Sequence, residues 1–248
     1  KELEKNIKII RKLKVRLTLF EVLTLAYYIS ASKLKDVSYS LVEAGLMFSG
    51  DCTRVFKNPK CQIVTNINKQ HLEWVNPKTI NEICRQKVGY LSTNTTIYIG
   101  KQDNKTMKII KRILKNNPSK QIYYGSGWII KRSGNKRIYS DKRGKIVLKS
   151  KKIISDALWE NVGLAIRVAR DFKISKKNIL NAIRNLQFEG RIQYIDGKLT
   201  KSLHKGEQLL IDGCSSEASA KNLADYLKTI KIPKYGIWSM IKNKKPEL

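Results

Sequence analysis

The chain has 248 residues, of which 42% are hydrophobic, so it is not disordered and can form one large or two modest globular domains. No apolar run approaches the roughly 20 residues that a membrane-spanning helix needs. The segment that starts at Lys1 is charged and lacks the apolar core of a signal peptide. We expect a cytoplasmic monomer. Because the first residue is not Met, we also expect the record to begin part-way through a gene.

The net charge is strongly positive, with 50 Lys and Arg against 20 Asp and Glu, or +30. Such a charge can indicate a nucleic acid partner. Here the excess is mostly lysine, spread from end to end among many Ile and Asn residues, as an AT-biased genome produces. We therefore expect no specific nucleic acid partner. The alternative is a basic, non-catalytic protein that binds nucleic acid or an acidic partner through salt-sensitive attraction.

The cysteines give no sign of a disulfide framework or a zinc site. They are scattered without Cys-x-x-Cys spacing, as Cys52, Cys61, Cys84 and Cys214. We expect reduced thiols, as is usual in the cytosol.

Hydrophobic periodicity predicts alternating helices and strands in the first half of the chain. Apolar residues recur with helical spacing at residues 3–13 and 17–29. Strands are then predicted at residues 37–42, 62–67, 95–99 and 121–124, and helices at 77–87, opened by Pro77, and 106–115. Strands separated by helices need crossover connections. We therefore expect an α/β fold with a mostly parallel sheet flanked by helices.

The pattern changes after residue 125. One or two β-hairpins are predicted at residues 128–148, followed by helices at 153–172 and from the N-cap Ser175 to 186. Beyond a domain boundary near residue 187 we predict a hairpin from Gly190-Arg191 that turns at Asp196-Gly197, a strand at 208–211, a helix at 217–230 capped by Ser215 or Ser216, and a strand at 236–241. These last elements cannot cover both faces of a parallel sheet, so we expect an incomplete second domain.

Polar side chains follow the predicted strands of the first domain. Glu43 follows the strand at 37–42, Asn66 and His71 lie at and beyond the end of the strand at 62–67, and Lys87 lies on the next helix. Open α/β sheets bind ligands at the carboxyl ends of their strands. A carboxylate and an imidazole can hold a divalent metal, and a nearby lysine can contact phosphate.

Several segments carry the motifs of a known family. Residues 17–24 are similar to a Leu-Thr-x-Phe-Glu-x-x-Thr helix, and residues 42–46 to a Leu-Glu-Val-Gly-Leu strand end. Residues 65–71 are similar to Thr-Asn-Ile-Gly-x-Asp-His, and residues 85–89 to Arg-Glu-Lys-Ala-Gly. Further on, Gly190-Arg191 and Asp212-Gly213 match a Pro-Gly-Arg and an Asp-Gly-Ala-His-Asn motif. In order and spacing, the chain resembles the folylpolyglutamate synthase and dihydrofolate synthase family, a branch of the ATP-dependent Mur ligases.

The resemblance implies a fold and an activity. Residues 1–186 would be a partial Mur-ligase ATP-binding domain without its phosphate-loop strand, and residues 187–248 a partial C-terminal α/β domain. The enzyme would be a ligase that uses ATP and Mg²⁺ to add glutamate to folate or dihydrofolate. A carboxylate of the folate is phosphorylated to an acyl phosphate, which the amine of glutamate attacks.

The resemblance also implies residue roles. The magnesium ligands would be Glu43, His71 and Lys87, with Lys87 carried as a carbamate. The catalytic residues would be His71 and Lys87, and the nucleotide contacts would be Asn161, Arg191 and Asp212.

The phosphate loop of the family, of the Gly-x-x-Gly-Lys-Gly-Ser type, is missing. The three Gly-Lys pairs lack its upstream Gly and its following Ser or Thr: Gly100-Lys101, Gly144-Lys145 and Gly197-Lys198. Without these backbone donors and this lysine, a triphosphate is neither held nor neutralised. In addition, Cys214-Ser215-Ser216 replaces Ala-His-Asn and removes a histidine. We expect a truncated, decayed copy that is inactive alone and would need a separate N-terminal fragment.

Overall fold

The structure is a computed structural model that describes residues 1–239. Its centre is a parallel sheet of three strands, β1 (Cys61–Val64), β2 (Thr96–Ile99) and β3 (Gln121–Tyr123), in the order β1-β2-β3. The crossovers are α3 (Ile80–Val88) and α4 (Asn104–Ile113). The predicted α/β fold with a parallel sheet flanked by helices is thus confirmed.

The central strand β2 contributes to a core on each face of the sheet, because successive side chains of a strand point to opposite faces. Ile97 and Ile99 pack with residues of α3 and α4, such as Ile83 and Ile110. Tyr98 packs on the opposite face, in the core that the second half of the chain forms.

That second core is built by an antiparallel sheet and two helices. The strands β4 (Trp128–Ser133), β5 (Lys136–Asp141) and β6 (Gly144–Leu148) form the two predicted hairpins. The helices are α5 (Asp156–Asp171) and α6 (Lys176–Asn185). Each has a serine N-cap: Ser155 accepts from the Leu158 amide, and Ser175 from the Asn178 amide.

Two packed helices begin the chain, α1 (Glu2–Arg11) and α2 (Leu19–Ser32). Asn6, fully buried between them, donates from Nδ2 to the Ala26 carbonyl at 3.2 Å. Thr18 and Glu21 form a capping box at the start of α2. The Glu21 side chain therefore has a structural role that requires no ligand. Both helices lie where the periodicity predicts them. None of the helices within residues 1–239 has the length and apolar character that crossing a bilayer requires.

The C-terminal segment forms a small unit of β7 (Gln193–Ile195), β8 (Leu209–Ile211) and α7 (Glu217–Leu227), which Ser216 caps. The predicted hairpin turning at Asp196-Gly197 is wrong, because β7 pairs antiparallel with β8 and Lys198–Thr200 forms a 3-10 helix. Of the strand predicted at 236–241, residues 236–239 have no strand structure and the rest lie outside the described residues.

Two further predictions are wrong. Residues 37–42 form no strand and are exposed, with Leu41 at 92%, because within residues 1–239 no strand offers them a ladder of hydrogen bonds. Pro77 does not open α3, which begins at Ile80 because the Thr79 side chain accepts from the Glu82 amide as N-cap.

Candidate functional site

The carboxyl ends of β1 and β2 are held together by side-chain amides. Asn66 Nδ2 donates to the Lys101 carbonyl at 3.0 Å. In the opposite direction, Gln102 Oε1 accepts from the Ile67 amide at 2.8 Å, and Gln102 Nε2 donates to the Thr65 carbonyl at 2.8 Å. These bonds satisfy backbone groups that leave the sheet ladder. They fix the start of the loop that leads to His71.

His71 lies at the end of that loop, half-buried, where a short 3-10 helix (Leu72–Trp74) begins. Its backbone is left-handed, with φ 58° and ψ 33°. A non-glycine residue rarely adopts this conformation. The His71 carbonyl accepts a hydrogen bond from the Trp74 amide at 3.1 Å. This turn helps to fix the backbone that carries the imidazole.

The loop after Glu43 is organised by Asp51. Asp51 Oδ2 accepts from the amides of Gly45 at 2.9 Å and Leu46 at 3.3 Å. A Cβ at Gly45 would lie 2.6 Å from the ring of Phe20, so only glycine allows α2 to approach this closely. Glu43 itself, two residues earlier, is exposed.

Lys87 contacts the same loop from the last turn of α3. Its Nζ donates to the Leu46 carbonyl at 3.2 Å, and Ser49 Oγ bonds to the neighbouring Gln86. Burial lowers the pKa of the Lys87 ammonium below its usual value, because a charged amine is costly to remove from water. A larger fraction of this amine is therefore neutral, and hence nucleophilic, than at an exposed lysine at the same pH.

Asn161 is exposed on α5. Its neighbour Glu160 forms an ion pair that joins this helix to the end of β2. Lys101, just after β2, pairs with Glu160 at 2.6 Å between Nζ and Oε1. The bond to Glu160 raises the pKa of Lys101. Asn161 itself follows Glu160 on the helix, and its side chain is exposed.

Arg191 and Asp212 lie together beside β7 and β8. Arg191 Nη1 donates to the Gly213 carbonyl at 3.1 Å, and Asp212 Oδ2 accepts from the Ile192 amide at 2.7 Å. A Cβ at Gly213 would lie 2.6 Å from Arg191 Nη1, so a side chain at this position would displace the guanidinium. Arg191 and Asp212 therefore both stabilise the same turn. The Arg191 side chain is exposed.

The structure thus brings Lys87 to the loop after Glu43, and Arg191 and Asp212 to one turn. It shows no contact that joins Asn161 to either place within residues 1–239. Within residues 1–239, no group of three or more His, Cys, Asp or Glu side chains could hold a metal ion. Sequence reasoning missed Gln102, although its position just past a strand end is the signal that singled out Asn66. It also passed over Asp51 as an organiser of the loop.

Known structures share this fold. E. coli FolC in complex with ADP superposes with a TM-score of 0.76 and 20% identity, over 95% of this chain and 54% of that one. Mycobacterium tuberculosis folylpolyglutamate synthase, complexed with ADP and AMPPCP, gives 0.70 and 19%, over 92% and 54%. The apo form of L. casei FPGS gives 0.69 and 17%, over 92% and 55%. The chain therefore spans about half the length of these proteins.

No curated protein matches the chain. The model of one protein family does match it, over residues 2–183, which include the parallel sheet, the antiparallel sheet and α5. That family is the Mur ligase middle domain. Since the match covers well over half of the sequence, the chain belongs to the Mur ligase middle domain family.

Proposed function

We propose that the chain is the central part of an ATP-dependent amide ligase that adds glutamate to folate or dihydrofolate. Its structural relatives include a complex of FPGS with AMPPCP and folate and a complex of E. coli FolC with ADP. The observation that carries the proposal is the contact of Lys87 Nζ with the Leu46 carbonyl, 3.2 Å away in the loop that follows Glu43. It places an amine of lowered pKa beside a loop that carries an exposed carboxylate.

The proposed reaction consumes one ATP for each amide bond that it forms. A carboxylate oxygen of the folate attacks the γ-phosphorus, ADP leaves, and an acyl phosphate forms. The neutral amine of glutamate then attacks the acyl carbon, phosphate leaves with its bonding electrons, and the amine loses a proton. Such transfers depend mainly on positioning and on stabilising the charge of the phosphoryl group.

Lys87 is suited to carbamylation. The ammonium first releases a proton, and the neutral amine then adds to carbon dioxide and releases a second proton. A cation thereby becomes a carbamate anion with two oxygen atoms that can act as ligands. The lowered pKa of Lys87 favours the neutral amine. Glu43 and the Lys87 carbamate would supply oxygen ligands of the kind that magnesium prefers, and His71, beyond β1, would be a third ligand and catalytic group. When bound, magnesium would offset negative charge on the phosphoryl group.

The nucleotide contacts are proposed from the same arrangement. Asn161 is exposed on α5 and follows Glu160, which pairs with Lys101 after β2. Arg191 and Asp212 belong to the second unit, with a domain boundary at residues 186 and 187, between α6 and β7. An exposed guanidinium at Arg191 is a suitable partner for a phosphate.

The 248 residues contain no phosphate loop, so the ligase needs a segment that supplies one. The exposed apolar run at residues 37–42 supports this proposal, because it offers both apolar side chains and unpaired backbone to an added strand. The partners are thus folate or dihydrofolate, glutamate and a polypeptide that carries the loop.

The 248-residue chain alone is expected to incorporate no glutamate when it is incubated with ATP, magnesium and folate or dihydrofolate. The same chain, joined to an upstream coding segment that restores the phosphate loop, is expected to bind AMPPCP in a magnesium-dependent manner. Radiolabelled glutamate and calorimetry measure the two results. Glutamate ligation by the chain alone would contradict the expectation that it is inactive. If the longer protein bound no nucleotide, the proposal that it is an ATP-dependent ligase would be wrong.

Lys87 is expected to form a carbamate with ¹³C-bicarbonate at mildly alkaline pH, where its lowered pKa leaves more neutral amine than at exposed lysines. A carbamate carbon signal should appear in the ¹³C NMR spectrum, disappear in Lys87→Arg and persist in Lys108→Arg, a matched change at an exposed lysine. Added Mn²⁺, as a magnesium substitute, should broaden this signal less in Glu43→Gln than in the unaltered chain. A spectrum that Lys87→Arg leaves unchanged would contradict the carbamate.

A further inference from the structure

Asp51 uses both oxygens of its carboxylate to hold the two ends of one loop together. Oδ2 accepts from the amides of Gly45 at 2.9 Å and Leu46 at 3.3 Å. Oδ1 accepts from the amide of Thr53 at 2.9 Å and from its hydroxyl at 2.5 Å. Hydrogen bonds to a carboxylate are stronger than those between neutral groups. This one side chain therefore has a large share in fixing the shape of the loop.

Thr53 gives the carboxylate a fixed support. It is only 7% exposed, and a buried side chain has little rotamer freedom. Because both donors of Thr53 bond to Oδ1, the carboxylate can turn little about its own bonds. Oδ2 is therefore kept on the two successive amides of Gly45 and Leu46.

Leu46 is held at both of its backbone polar groups. Its amide donates to Asp51, and its carbonyl accepts from Lys87 Nζ at 3.2 Å. The amide nitrogen and the carbonyl carbon of a residue flank the same Cα atom, so a backbone movement that breaks the first hydrogen bond also displaces the second. The position of the lysine amine thus depends on the bond that Asp51 makes.

The same loop is bonded to α3 at a second point. Ser49 Oγ donates to Gln86 Oε1, on the residue before Lys87. Gln86 Nε2 in turn donates to Glu82 Oε1 at 2.7 Å, one turn earlier on the helix. Two attachment points fix Lys87 relative to the loop only while the loop keeps one shape. The bonds of Asp51 span the loop and preserve that shape.

Glu43 is carried by the backbone that enters this loop. It is two residues before Gly45, so the two Cα atoms are at most about 7 Å apart. Gly45 is held on one side by Asp51 and on the other by the ring of Phe20, which a Cβ at Gly45 would meet at 2.6 Å. Asp51 therefore limits where the Glu43 side chain begins as well as where the Lys87 amine lies.

We propose that Asp51 is a positioning residue of the candidate site. Through Leu46 it holds the Lys87 amine, and through Gly45 it holds the backbone that leads to Glu43. Asp51 sets the separation of these two groups and is not itself a ligand. The use of that separation to bind magnesium rests on the proposed function, whereas the restraint on Lys87 does not depend on ligase activity.

The test measures how firmly the Lys87 side chain is held. Lysine Cε is labelled with ¹³C, and NMR relaxation gives the order parameter of its C–H bonds, with signals assigned by their absence in Lys87→Arg and Lys108→Arg. In the unaltered chain we expect a value for Lys87 about twofold above that of the exposed Lys108. In Asp51→Asn it should fall toward the Lys108 value, because an amide has one acceptor oxygen where the carboxylate uses two.

Three variants separate positioning from a general loss of stability. Ser175→Ala removes the N-cap of α6, which packs in the other core, and should destabilise the protein without changing the Lys87 order parameter. Asp51→Glu keeps two acceptor oxygens and should restore part of the restraint that Asp51→Asn removes. Thr53→Val removes only the hydroxyl bond to Oδ1, so it should give a smaller fall and serves if Asp51→Asn does not fold.

Two results would overturn the proposal: a Lys87 order parameter that Asp51→Asn and Thr53→Val leave unchanged, or an equal fall in Ser175→Ala. Failure of the proposed function gives a different result. If the order parameter falls in Asp51→Asn although the unaltered chain forms no carbamate, Asp51 positions Lys87 and the proposed magnesium ligand is wrong. If the carbamate forms and the order parameter does not fall, Lys87 keeps its proposed role and Asp51 does not position it.

Discussion

Replacement of Asp141 by asparagine is expected to lower the free energy of unfolding by about 3–5 kcal/mol. The carboxylate is 0% exposed and neutralises parts of Arg167 and Arg170, whose own side chains are 4% and 14% exposed. Its removal leaves Arg170 without a carboxylate partner and Arg167 with Asp171 alone, and uncompensated buried charge costs far more than the pair itself contributes. Urea unfolding, followed by circular dichroism, measures the change.

The matched control is Asp225→Asn, at an aspartate that pairs with Lys228 on the exposed face of α7. Both members of that pair are more than half exposed, so the expected change is below about 1 kcal/mol. If the two variants unfolded at the same urea concentration, the charged group around Asp141 would not be a stabilising unit of the native state.

Replacement of Trp128 by alanine should also lower the free energy of unfolding by about 3–5 kcal/mol. The indole is in the core between the antiparallel sheet and α5. Its ring meets that of Tyr124 edge-on at 5.0 Å and stacks with that of Tyr139 at 6.3 Å. This loss of stability would include the lost burial of apolar area, the lost aromatic contacts and the cost of the cavity that remains. Thermal or urea unfolding measures it.

Trp74→Ala is the control for this truncation. Trp74 is 67% exposed, so the same chemical change should alter the stability by no more than about 0.5 kcal/mol. A similar loss in both variants would mean that the aromatic core around Trp128 does not hold the two sheets together.

The fold was predictable wherever local pattern and tertiary pairing agree. β1, β2 and β3 are apolar runs between helices, and each is buried against neighbours that the same pattern supplies. Residues 37–42 show the limit of this reasoning. They have the composition of a strand, but a strand exists only where another strand takes up its hydrogen bonds, and composition does not report the partner.

The last unit shows the same limit. Asp196-Gly197 is a sound turn signal, yet β7 pairs with β8, and the residues between them form a long connection. Turn residues indicate where the chain bends and leave open which strand returns alongside. Pairing between segments far apart in sequence is decided by the whole fold.

The structure has Asn66 and His71 beyond β1 and Lys87 on α3, as the sequence predicts, whereas the strand predicted before Glu43 does not form. The contact of Lys87 Nζ with the Leu46 carbonyl was not predicted. The roles of Glu43, His71 and Lys87 as ligands and catalysts stay predictions. Gln102 accepts from the Ile67 amide of another segment, and Asp51 accepts from the Gly45 amide of its own loop. The spacing of residues alone does not reveal such partners.

Tyr98 fixes the alignment of the central strand. It lies between Ile97 and Ile99, which face the aliphatic layer, and its own hydroxyl reaches Asp171 on the other side. Displacement of β2 by a single residue would exchange the two faces, which would put a phenol among isoleucines and remove the tyrosine donor from Asp171. A purely aliphatic strand would tolerate such an error. One polar atom thus allows the protein to reject misaligned forms of its own sheet.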